Sequence, residues 1–178
     1  TGWLDRHFHE SQAYDLRPRV RSDRTPAAMN PARQSPTTPP AAFLTPPEVA
    51  ALPCKPPDQL SSYGDDALQF GELRLPAGTG PHPVAAVIHG GCWLSKYASA
   101  RYTGALCDAL RDAGIATWNI EYRCVDQPGG GWPGTFTDVA RAIDHLRTLT
   151  HNLDLERVIT IGHSAGGTLA LWAAAGLA

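Results

Sequence analysis

No two of the four cysteines, Cys54, Cys92, Cys107 and Cys124, lie closer than 15 residues, and no Cys-x-x-Cys pair occurs. That spacing argues against a zinc cage and against a disulfide framework, so the thiols read as reduced. Charge of one sign is also scarce, with 15 Lys and Arg against 17 Asp and Glu. Arg17, Arg19, Arg21 and Arg24 are interleaved with Asp15 and Asp23, which leaves no electrostatic footprint for nucleic acid. No apolar run approaches the ~20 residues of a membrane helix, and the first residues lack the basic-then-apolar order of a secretory signal. The expectation is a cytoplasmic protein with neither nucleic acid nor membrane as a partner. Nothing in the pattern specifies an oligomeric state.

Proline is plentiful, but unevenly placed: eleven of the sixteen precede residue 58. Missing N–H groups and fixed φ angles frustrate both helix and sheet there, so residues 1–57 are expected to be extended or disordered. One short amphipathic turn, Pro47–Leu52 with Thr45 as its cap, is the exception. The only methionine is Met29, and a true start there would make residues 1–28 upstream sequence without a role.

From residue 58 onward the pattern becomes that of a packed domain. Phe70, Leu73 and Leu75 alternate loosely as an early strand closed by Pro76-Ala77-Gly78. Residues 83–91, 114–122 and 157–162 are short, nearly continuous apolar runs, as expected of strands buried on both faces. Between them lie two helical periods. Tyr102, Leu106, Ala109, Leu110 and Ala113 form one, with Gly114 placed to end it, and Phe136, Val139, Ala140, Ile143 and Leu146 form the other, opening near Pro133. Strands alternating with helices predict right-handed crossovers and a doubly wound α/β sheet, with ligands at the carboxyl ends of the strands.

Three glycine- or tryptophan-rich loops follow those strands. Gly162-His163-Ser164-Ala165-Gly166 sits between a strand and a helix, the setting of a nucleophile elbow. Side chains at 162 and 166 would collide with neighbouring elements there, while the Ser164 hydroxyl is pushed out over the sheet. The Ile88-His89-Gly90-Gly91-Cys92-Trp93 stretch can turn backbone amides toward an oxyanion, so Gly91, Cys92 and Ala165 are the candidate donors. Trp93 and Trp132 are candidates for a substrate pocket and equally for packing. Arg123, just past a strand, and Asp138, on the next helix, are expected to pair and fix loop to helix. No metal site and no organic cofactor is indicated.

HGGCW and GHSAGG, with Glu121-Tyr122-Arg123 and residues 129–139 between them, resemble the esterase/lipase branch of the α/β-hydrolase superfamily. The kynurenine formamidase-like and feruloyl-esterase-like members that bear HGGxW are the nearest in motif. The resemblance covers residues 60–178. It implies the α/β-hydrolase fold with a mostly parallel eight-stranded sheet, a Ser-His-Asp triad, and hydrolysis of a small-molecule ester or amide without a cofactor. Residue 92 varies in such motifs, so the Cys92 thiol is read as incidental.

A serine needs a positioned base, and that base needs a carboxylate to hold it. In this fold both follow the nucleophile, yet none of the fourteen residues after Ser164 is Asp, Glu or His. His163 should project away from Ser164, while His7, His9, His82, His89, His145 and His151 read as surface or packing residues. The sequence stops inside a helical stretch, so the expectation is the N-terminal part of a serine hydrolase, truncated after the elbow and inactive alone. The alternative is a non-enzymatic binding protein on a degenerate hydrolase fold, which would leave a long apolar edge strand open to aggregation.

Overall fold

A computed structural model describes residues 44–176. The expectation for residues 1–43 lies outside them, as does the reading of Met29. Within 44–57 the chain is ordered into a helix, α1 (Pro46–Ala51), closed by a capping box in which the Thr45 N–H and hydroxyl donate to Glu48 at 2.7 Å. The following residues dock on the body, with the Lys55 N–H donating to Asp108 at 2.6 Å. Residues 44–57 are therefore more ordered than their proline content suggests.

Five strands form one sheet: β1 (Gln59–Ser62), β2 (Phe70–Arg74), β3 (His82–Ile88), β4 (Ala116–Ile120) and β5 (Leu153–Gly162), in the spatial order β1-β2-β4-β3-β5. β4, β3 and β5 are parallel, and β1 and β2 add on antiparallel at one edge of the described sheet. In β3, Val84, Ala86 and Ile88 enter one core while Ala85 and Val87 enter the other. Burial on both faces is what a central parallel strand requires, and it explains the unbroken apolar run.

The crossover from β3 to β4 carries a 3₁₀ turn (Ala100–Thr103) and α2 (Gly104–Asp112), which supplies Cys107 and Leu110 to the smaller core. α3 (Gly134–His145) joins β4 to β5, and α4 (Ala165–Ala174) follows β5. Both pack on the opposite face, where Val139, Ala142, Ile143, Leu169, Ala170 and Ala173 meet Ile88, Trp118 and Ile120. The Trp118 indole N–H is satisfied inside this core by the Ala142 carbonyl at 2.8 Å. Helices on both faces make the sheet doubly wound, as expected. Among the described residues, no helix is long and apolar enough to cross a membrane.

The Arg123 and Asp138 pair forms as anticipated. The guanidinium grips the buried carboxylate with two bonds, Nε to Oδ2 at 2.8 Å and Nη2 to Oδ1 at 2.7 Å, and Gln69 donates to Oδ1 at 2.7 Å. Asp138 in turn raises the pKa of Arg123 above its ordinary value. The loop after β4 is thereby tied to α3 and to the approach to β2.

Candidate active site

β5 must end and α4 begin within two residues, and the backbone meets that demand at Ser164, which has φ 53° and ψ −120°. A non-glycine residue here is strained, and the strain lifts its side chain clear of the sheet. The turn is closed by Gly166 N–H to the His163 carbonyl and Gly167 N–H to the Ser164 carbonyl, both 2.9 Å. A side chain on Gly166 would drive into the carbonyl oxygens of Ile88 and His89, and one on Gly162 into Gly166 itself. Ser164 is exposed, at the N-terminus of the ten-residue α4. That end of a helix favours developing negative charge.

The loop after β3 lies directly against this turn. A Cβ built on Gly90 would stand 3.1 Å from Ser164 Cβ and 2.6 Å from the His163 carbonyl oxygen. Beyond it, Gly91, Cys92 and Trp93 have φ of 108°, 51° and 66°, and the Leu94 N–H closes on the Gly91 carbonyl at 2.9 Å. Positive φ at both central positions is the signature of a primed turn. Ser95 anchors the far side: its N–H and hydroxyl donate to Asp126 at 3.0 Å and 2.9 Å, which holds that carboxyl below the usual carboxylate range. Among the described residues, the N–H groups of Gly91, Cys92 and Ala165 donate to no protein acceptor. Free amides beside an exposed serine are the groups an oxyanion would use.

The two tryptophans separate. Trp93 is half-buried, packed on the main core and stacked on Phe136 with centroids 5.8 Å apart. Trp132 is 74% exposed and meets Phe136 edge-on at 5.0 Å, while Phe136 also contacts Trp172 at 5.1 Å. Phe136 thus joins two loops to α4, a role its helical period alone had assigned to packing.

Among the described residues, no hydrogen bond joins a histidine ring to the Ser164 hydroxyl. His163 tilts onto Tyr102, His145 meets Ser61 Oγ at 2.8 Å, and His151 meets Gln59 at 2.6 Å. His89 is buried and lies 2.9 Å from Glu121. Sequence reasoning missed that pair because the two residues are 32 positions apart. The parallel register setting Ile88 opposite Ile120 was the available signal. Among the described residues, no group of three or more His, Cys, Asp or Glu is arranged to hold a metal ion.

Residues 72–177 match the BD-FAE family model. A kynurenine formamidase of Meyerozyma guilliermondii is 34% identical over 114 residues, which cover 64% of this chain and 41% of that protein. Esterase B of Lactobacillus rhamnosis, in a tributyrin phosphonate-inhibited form, is 26% identical with a TM-score of 0.58, covering 68% of this chain and 41% of its own. The thermophilic esterase Est2 of Thermogutta terrifontis shares the fold, with a TM-score of 0.57 at 21% identity, covering 64% of this chain and 44% of its own. The chain spans about two fifths of the length of these proteins.

Proposed function

Because the chain belongs to the BD-FAE family, we propose that it carries the nucleophile half of a serine hydrolase acting on carboxylic esters or small amides. Ser164 Oγ attacks the carbonyl carbon, and the carbonyl oxygen becomes an oxyanion received by the N–H groups of Ala165 and of Gly91 or Cys92. Collapse expels the alcohol or amine and leaves an acyl-serine, which water then hydrolyses through a second oxyanion. Side chains and backbone suffice for this chemistry, so no cofactor is invoked.

The observation that carries the reading is the Ser164 backbone, φ 53° and ψ −120°, at a strand-to-helix turn with Gly90 of the neighbouring loop against it. Kinship to a formamidase and to esterases supports the hydrolase class. No described histidine reaches Ser164, so the base and its acid have to come from chain outside residues 44–176. This portion by itself is then limited to the residual rate that binding and oxyanion stabilisation leave.

The test is covalent labelling of the full-length gene product by a fluorophosphonate. Ser164 should carry the adduct, and Ser164→Ala should abolish it. A folded full-length protein that takes no label would sink the proposal.

A further inference from the structure

Behind the loop that bears Gly91 lie two buried side chains that acyl transfer itself does not use. His89 Nε2 is 2.9 Å from Glu121 Oε1, and His89 Nδ1 is 2.9 Å from the Gly90 carbonyl oxygen. A carbonyl and a carboxylate are both acceptors, whereas a neutral imidazole has one N–H to give. Glu121 already receives the Ala100 N–H on Oε2 at 2.9 Å and the Tyr122 N–H on Oε1 at 3.2 Å. With Glu121 as a carboxylate, an acceptor on both oxygens, the donor count closes with both ring nitrogens of His89 protonated.

The ring cannot turn aside. It stacks on Tyr122 with centroids 4.3 Å apart and planes 11° from parallel, a geometry that also suits a cation on an aromatic face. The Tyr122 hydroxyl donates to the His89 carbonyl at 2.8 Å and reaches the Gly90 carbonyl at 3.4 Å. Two successive carbonyls of the loop are therefore gripped from behind. The Gly90–Gly91 peptide is trans, so the Gly91 N–H points opposite to the held Gly90 carbonyl. Tyr63, Tyr122, Cys124 and His163 are the other titratable groups nearby, and burial raises the pKa of both tyrosines and of the Cys124 thiol, which keeps all three neutral.

We propose that His89 and Glu121 form a buried imidazolium–carboxylate pair that positions the oxyanion loop, aiming the Gly91 N–H at the carbonyl oxygen of a substrate on Ser164. The proposal rests on Ser164 being the acyl-transfer nucleophile. Neither member touches a reacting atom, so both are positioning residues. Their hold passes on through Glu121 to Ala100, at the head of the 3₁₀ turn, so the crossover between β3 and β4 shares in setting the loop.

Two measurements on the full-length protein test this. In ¹⁵N-histidine NMR at neutral pH, the His89 signal, identified by its loss in His89→Gln, should show a proton on each ring nitrogen. In ester turnover, Glu121→Ala should lower kcat by about 10²- to 10³-fold, as losing an oxyanion donor does, with KM nearly unchanged. Glu121→Gln can donate its amide to Nε2 of a neutral His89 while its carbonyl keeps the Ala100 N–H, so it should recover most of that loss. Phosphonate labelling separates the two levels. A protein not labelled at Ser164 loses the hydrolase reading and this one together, whereas a labelled protein in which folded Glu121→Ala keeps wild-type kcat loses the positioning role alone. Should Glu121→Ala not fold, a single N–H on His89 in the labelled wild-type protein overturns the pair.

Discussion

Asp138→Ala is the substitution whose effect the structure sizes best. The carboxylate is fully buried and receives four N–H donors: Arg123 Nε at 2.8 Å, Arg123 Nη2 at 2.7 Å, the Arg123 backbone at 3.2 Å and Gln69 Nε2 at 2.7 Å. Alanine removes every acceptor at once. The Gln69 amide, 4% exposed, is left without its bond, at a cost of about 1–3 kcal/mol. Breaking a buried ion pair by deleting one partner costs about 3–5 kcal/mol, but the Arg123 side chain is 19% exposed and recovers some hydration. The two costs overlap, and the sum settles near 3 kcal/mol. For a domain of 150–250 residues that corresponds to a fall in Tm of roughly 6–12 °C. Denaturant titration of the full-length protein should show the loss as a lower midpoint at constant m-value. Because both Arg123 bonds go with Asp138, Arg123→Ala/Asp138→Ala should be less destabilised than the sum of the singles. Ser164 in the folded fraction should still take a phosphonate. A loss below about 1 kcal/mol would refute the view that this pair bolts the loop after β4 to α3.

Gly166→Ala places a methyl against the carbonyls of Ile88 and His89, and backbone on both sides has to yield. Stability should drop by about 1–3 kcal/mol, and phosphonate labelling of Ser164 should slow by about 10²-fold, as misplacements near 1 Å do. Wild-type labelling kinetics would contradict the close approach of β3 and α4. Burial pushes the thiols of Cys107 and Cys124 up to about 12 and about 11, while Cys92 is exposed. Since burial disfavours the thiolate, raising the pH from 7 to 9 should leave Cys107 and Cys124 protonated and unalkylated in the native protein. Mass spectrometry after iodoacetamide should find Cys92 modified, with all four thiols reacting only in guanidinium. Native Cys107 alkylated as fast as Cys92 would count against the packing of α2 on the sheet.

The parts of the fold legible in the sequence were those whose environment is uniform along the element. β3 and β4 are buried on both faces, so their runs are nearly continuous and apolar, interrupted in β4 by the buried Thr117 and Asn119, and α3 shows one clear apolar stripe. β1, with Gln59, Leu60, Ser61 and Ser62 at the sheet edge, carries no such pattern, because its pairing with β2 rests on backbone bonds. β5 runs back to Leu153 through Asp154, Glu156 and Arg157, charges tolerated because that strand lies at the edge of the described sheet. The helical period that includes Tyr102 starts as a 3₁₀ turn, Ala100–Thr103, before the α-helix begins at Gly104. At the candidate site, the strand-to-helix turn at Ser164 was legible because side chains at 162 and 166 would collide with backbone. His89 and Glu121 were not, since each looks like an isolated polar residue at the end of an apolar run until strand register brings them together.

The close approach of Gly90 to the His163 carbonyl, and of Gly166 to the carbonyls of Ile88 and His89, bears on how this site can change over time. The shortest distances there are set by main chain meeting main chain, which leaves little room for a side chain as an adjustable spacer. Drift at the surrounding core positions can reshape the packing of β3 and α4 without altering how closely the loop approaches the serine. On the function proposed above, variation in what the protein accepts falls to the periphery, to the exposed turn at Cys92 and to Trp132 and the loop that carries it. A library aimed at new substrates belongs at those positions, and one aimed at the glycines would return mainly proteins that fold poorly.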